Sequence, residues 1–165
     1  VAIELGLYVH KMTAEVQDWG GRTEFVGGPY VEPEWLLRTV VHYGERDGAI
    51  REARRRLTIS VAGRIAAGVS GGGDRKDHQT EDELLAVLVA AGLQRDAELI
   101  ASAEHAREIL DNRSGDVKRL AAALFSSRVG VLVGTDIERI LPAQAALVSR
   151  LNQLPANRLS AYQEA

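Results

Sequence analysis

Hydrophobic residues change their spacing along this chain, and each change predicts a different kind of element. Val9 to Val16 alternates, with His10, Met12, Ala14 and Val16 on one side and Lys11, Thr13 and Glu15 on the other. A period of two predicts a strand. The sequence "DWGG" then supplies a turn, because paired glycines tolerate positive φ, and Arg22 to Val26 makes the returning strand. From Glu34 the spacing lengthens to that of a helix. Trp35, Leu36, Val40 and Tyr43 share a face, with Pro33 leading in and Gly44 ending the segment. Next, "DGAIREARRRLTISVAGRIAAGVS" carries Ile50, Leu57, Val61 and Ile65 down one stripe, which predicts an amphipathic helix.

The polar run "SGGGDRKDHQ" reads as a flexible connector. It delivers the chain to "TEDELLAVLVAAG", where Thr80 and Glu83 have capping-box spacing and Gly92 supplies the stop. Further helices are predicted from about Arg95 to Asp111 and from near Ser114. "VGVLVG" fits a short turn or a strand, and "TDIERIL" repeats the capping box with Thr135 and Glu138. Pro142 to Ala165 reads as helical as far as Leu154-Pro155. Val1 to Leu7 has the pattern of a helix end, with Gly6 close to its stop. The expected fold is therefore mainly α with one small β-hairpin, without a doubly wound sheet. An isolated hairpin is marginal in water, so this one must pack or pair with something.

Composition narrows the setting. The chain has 165 residues, 45% hydrophobic and 26% charged, which suits one soluble domain with a single sizeable core. A net charge of −3 gives no basic field for nucleic acid. The run "REARRR" is offset by nearby acids and reads as a solvated helix face. Cysteine is absent, which excludes disulfides and thiolate metal sites. No apolar run has the length of a membrane span, so a cytoplasmic setting is the expectation.

Candidate chemistry is sparse. None of His10, His42, His78 and His105 lies in H-E-x-x-H, the spacing that sets two imidazoles on one helix face around zinc. His78 with Glu81 and His105 with Glu108 are i, i+3 pairs of a kind common on solvated helices. No nucleophile elbow and no phosphate loop is present. Asp82 is the acid to single out, since the capping box puts it in the first turn of a helix just after the Gly-rich loop. It reads either as a helix-dipole contact or as a carboxylate aimed toward a metal.

Several stretches, in order, resemble the peptidase domain of the AAA+ zinc metalloproteases of the FtsH type. "VHKMT" at Val9 to Thr13 is similar to that family's "VHKVT", which follows the zinc-binding helix, and "GRTEFVG" resembles the returning strand. "SVAGRIAAGVSGGG" resembles the family's "GGRxAEE" helix and the loop beyond it. "DELLAVLVAAG" resembles the segment that opens on a metal-binding Asp, with Asp82, Ala86 and Ala90 in the matching places. "AREILDNRSGDVKRLAAALFSSRVGVLVGTDIERIL" resembles the closing region. The chain departs from the family in lacking H-E-x-x-H, in carrying Ala67 where the family has an acid, and in lacking any ATPase motif.

The resemblance implies a helical, zincin-like (gluzincin-type) metallopeptidase domain over residues 1–141, with its hairpin at the cleft and a helical extension over 142–165. It implies zinc as cofactor, held by Asp82 and by two histidines on a helix expected just upstream of Val1. It also implies that a peptide or protein substrate adds as a strand beside Val9, His10, Lys11, Met12, Thr13 and Ala14. A homo-oligomer, a hexamer in the family, and an ATPase partner belong to the same expectation. Without the upstream residues the domain would be inactive. The alternative is a peptidase-like scaffold without chemistry that acts in protein interaction or assembly.

Overall fold

Leu57 and Val61 lose all exposure on one face of helix α2 (Arg46–Ala66), and the first of two hydrophobic cores forms around them. The computed structural model describes residues 1–15, 20–26, 33–43, 46–66 and 75–152. Ala49, Ala53, Leu57 and Val61 recur every four residues, so they line one ridge of α2. That ridge packs against α3 (Arg75–Ala90) and α4 (Arg95–Asn112). Leu84, Leu85, Val87 and Leu88 of α3 and Ala106 of α4 close the core. Leu36 and Val40 join it from α1 (Pro33–Arg38) and from the π-helical turn Thr39–Tyr43 that continues it. Trp35, expected to lie inward with them, is 52% exposed. Ile50 and Ile65 flank the core half-buried, since the smaller Ala49 and Ala53 take the inner line.

The chain forms two compact units, Val1 with Tyr30–Asn112 and Ala2–Pro29 with Arg113–Ala165. The second unit draws on both ends of the sequence, and α7 (Pro142–Asn152) is built into it.

In the second unit, β1 (Tyr8–Glu15) pairs antiparallel with β2 (Gly20–Val26) as the alternation predicts. Gly20 and Gly21 lie within β2, opposite Glu15 and Ala14. The "VGVLVG" stretch becomes β3 (Val131–Val133), and the sheet order is β2-β1-β3. The hairpin is thus not alone. A register irregularity between Val9 and Lys11 also alters the predicted faces. One extra residue there reverses the alternation, so Val9 shares the core side with Met12 while His10 is exposed. Val9, Leu132, Ile137 and Leu141 form this second core, with Leu120, Ala123 and Leu124 of α5 (Ser114–Ser126) packed against it.

Two predicted capping boxes are corrected. Helix α3 begins at Arg75, five residues before Thr80, because residues 75–79 contain no breaker and include the good helix formers Arg, Lys and Gln. Helix α6 (Gly134–Ile140) uses Asp136, whose Oδ2 accepts the Val133 N–H at 3.3 Å. That leaves Glu138 to accept the Tyr8 hydroxyl at 2.7 Å. A methyl group at Gly134 would overlap the Tyr8 hydroxyl and ring, so the start of α6 needs glycine. The predicted turn at 16–19, Gly44, the Gly-rich loop at 67–74, Ala67 and the tail beyond Asn152 lie outside the described residues. No described helix is long and apolar enough to cross a membrane.

Candidate functional site

Asp82 stands in the third turn of α3, away from the helix start. Its helical neighbours Glu81 and Leu84 are buried, which turns Asp82 outward. The carboxylate accepts a hydrogen bond from the Arg95 guanidinium at 2.6 Å, with 69% of the Asp82 side chain and 53% of the Arg95 side chain exposed. An exposed pair of this kind contributes about 0–1 kcal/mol, so Asp82 is tethered weakly. Glu81, one residue earlier, is 6% exposed and accepts from Arg64 of the "AGR" segment at 3.2 Å. The pair Arg64–Glu81 therefore fixes the rotation of α3 against α2, and with it the direction of Asp82.

The histidines do not join this acid. His10, His42, His78 and His105 are all exposed, and Glu81 accepts from Arg64. Among the described residues, no three His, Asp or Glu side chains converge on a common point. A single exposed carboxylate already held by Arg95 does not by itself fit zinc, which takes three or four ligands. The strongest fork in this unit is structural: Arg54 donates to both carboxylate oxygens of the buried Glu98, at 2.7 and 2.6 Å. This bond holds the Glu98 carboxyl below its usual range, against the opposing effect of burial.

The predicted substrate strand lies in the second unit and has different surroundings from those expected. β1 is the central strand, paired with β2 along its length and with β3 at Lys11, Met12 and Thr13. The Ala14 N–H donates to Gly130 O at 2.8 Å. Past the end of β3, the side chain of Gln144 takes the place of a strand. Its Oε1 accepts the Val9 N–H at 3.1 Å, and its Nε2 donates to Val9 O at 3.0 Å and to Gly134 O at 3.2 Å. Along Val9, His10, Lys11, Met12, Thr13 and Ala14, β1 thus has β2 on one side and β3, Gly130 and Gln144 on the other. On β3 the outward-facing groups are also satisfied. Ser127 Oγ accepts the Val131 N–H at 3.3 Å and donates to Val131 O at 3.0 Å. The Val133 N–H goes to Asp136. The sheet's remaining edge is the outer side of β2, where the register directs the backbone groups of Gly21 and Thr23 away from β1.

One feature of this site was missed. Gln144 carries a signal in sequence, a lone amide in the first turn of the otherwise apolar "PAQAALV". Its partner Val9 is 135 residues away, beyond the reach of any local pattern. Residues 2–7 form a turn of the kind that closes helices. The Leu7 N–H donates to Ala2 O at 2.9 Å and the Gly6 N–H to Ile3 O at 3.0 Å, with Gly6 at φ +83°. The end of α3 repeats this arrangement, with Leu93 to Leu88 at 3.0 Å, Gly92 to Val89 at 2.9 Å and Gly92 at φ +88°. Both are the paired-bond turn that glycine permits, and at Gly92 it closes α3. No protein-family model, curated protein or solved structure matches this chain.

Proposed function

We propose that this chain is a zinc-metallopeptidase-like domain acting on peptide or protein substrates. The observation that carries the reading is the helix-closing turn at Ala2, Ile3, Gly6 and Leu7, which leads directly into the strand bearing "VHKMT". A zinc-binding helix that ends in a tight stop and feeds an antiparallel ribbon is the order of elements implied by the FtsH-type resemblance. The "AGR" helix and the helix carrying Asp82 then follow in that same order, with Arg64 and Glu81 joining them. On this reading Asp82 is the one candidate zinc ligand among the described residues, and the remaining ligands come from a preceding H-E-x-x-H helix. Bound zinc would supply Lewis-acid activation of water. This chain's own residues would orient Asp82 through Arg64–Glu81.

A second reading, a peptidase-like scaffold that binds or assembles without chemistry, draws support from the Asp82–Arg95 pair, since a ligand carboxylate would have to leave its arginine. One experiment separates the two readings. The full-length gene product should carry about one zinc per chain by plasma mass spectrometry and cleave unfolded casein. Asp82→Ala should remove most of the metal and the cleavage while leaving thermal unfolding unchanged. A metal-free, inactive wild-type protein would reject the peptidase reading, and full zinc content in Asp82→Ala would take Asp82 out of the site.

A further inference from the structure

Helix α5 differs from the other long helices in having no buried residue. Leu120, Ala123 and Leu124 are half-buried against the second core. Beside them on the helix runs a second strip that is apolar yet exposed. Val117 is 42% exposed, Phe125 81% and, just past the helix, Val129 77%, with exposed Ala121 between the first two. Val117, Ala121 and Phe125 recur every four residues along the helix and make one apolar line, and Val129 follows beyond the helix end. At the end of that line, Leu124, Phe125, Val129, Gly130 and Ala14, with Ser127 and Arg128, surround an open hollow of about 280 Å³. The flanks are basic. Lys118, Arg119 and Arg128 are exposed, and the single acid of the segment, Asp116, is bonded to Arg119 at 2.5 Å.

We infer that this face docks an amphipathic helix of a partner protein, apolar along one side and acidic beside it. The narrow line with a hollow at its end fits the anchor spacing of a helix laid along a groove. The charge selects among occupants. A second copy of this chain would bring three more cations toward the same stripe, whereas an acidic helix would meet Lys118 and Arg128 with carboxylates. A lipid surface would call for a broad apolar face, and this one is a single residue wide. The inference does not depend on the peptidase reading.

The test uses the full chain and two fluorescent peptides of about four turns each. Both carry Leu along one face; one has Glu and the other Lys on the flanks. In anisotropy titrations the Glu peptide should bind and the Lys peptide should not. Phe125→Ser should weaken the Glu peptide by about tenfold, as expected for a central aromatic anchor. Arg128→Glu should weaken it several-fold. Because Phe125 is so exposed, Phe125→Ser should leave circular dichroism unchanged, and Val129→Ser serves as a second variant. The inference is overturned if neither peptide binds, if both bind alike, or if Phe125→Ser and Val129→Ser leave binding intact. It is likewise overturned if sedimentation shows self-association lost in Phe125→Ser, or if phosphatidylserine vesicles bind the chain through Phe125.

Discussion

The two units of this chain solve the burial problem in different ways. Among the described residues, the core around α2 contains twelve buried residues, all aliphatic, supplied by helices that follow one another in sequence. The described core beneath the sheet draws on residues as distant as Val9 and Leu141. There, polar side chains also take a direct part in holding the strands. Gln144, Ser127 and Asp136 each satisfy strand backbone groups that lack a strand partner, and the Tyr8 hydroxyl ties β1 to Glu138 of α6. One unit depends on summed apolar area. The other depends on a few hydrogen bonds, each with a specific donor and acceptor.

The largest expected effect tests that second claim. Gln144 is fully buried, and its amide serves Val9 N–H, Val9 O and Gly134 O. Gln144→Leu keeps the volume and removes all three partners. Leaving buried backbone groups unsatisfied should destabilise the sheet unit by about 4 kcal/mol. Urea unfolding followed by hydrogen exchange at β1 measures it. Gln144→Glu should recover part of the loss at most, since a carboxylate accepts from Val9 N–H and cannot donate to the two carbonyls. A loss under about 1 kcal/mol for Gln144→Leu would show that apolar packing, and not the amide, holds the sheet unit together.

The helical unit should respond to the opposite kind of change. Leu57 is fully buried between α2 and its neighbours, so Leu57→Ala leaves a cavity and should cost about 3 kcal/mol. Protection of amides in α2 and α3 should fall. A volume-conserving change, Leu57→Met, should cost less than about 1.5 kcal/mol. If Leu57→Met were as damaging as Leu57→Ala, shape-specific packing would matter in this unit as much as hydrogen-bond geometry does in the other.

The same contrast explains what could be read from the sequence. The helices announced themselves because their periodicity is local: Leu57 and Val61 lie on the predicted stripe, and Gly92 marks the real stop of α3. The hairpin was legible for the same reason. The choice of strand over turn for "VGVLVG" and the role of Gln144 were not, since each is fixed by a partner more than a hundred residues away, and the bulge at Val9–Lys11 is set by the register against β2. Asp82 was misplaced by a capping box that the helix overruns, because residues 75–79 favour helix more strongly than Thr80 favours a start. As for function, the resemblance supplied the candidate residues, while only coordinates reveal that Asp82 is paired with Arg95 and that both edges of β1 are filled.

Titration should sharpen the comparison with the smallest effects. Glu98 in the helical unit has its carboxyl lowered by the Arg54 hydrogen bonds, against the raising effect of burial. A depressed acid contributes stability that is complete above the ordinary carboxylate pKa of 4.5 and is lost as pH falls through the folded value. Since Arg54 is about half exposed, the contribution is on the order of half a kcal/mol. Tyr8 in the sheet unit moves the other way. Its hydrogen bond to Glu138, followed by burial and by the charge of Glu138, raises the phenol above 10.0. That stability is present below 10.0 and is lost as pH rises through the raised value. Acid should therefore weaken amide protection first in α2 and α4, and alkali first in β1 and α6. Arg54→Met should flatten only the acid limb, and Tyr8→Phe only the alkaline one. If either variant flattened both limbs, the two units would share a single cooperative transition, and their energetics could not be assigned separately.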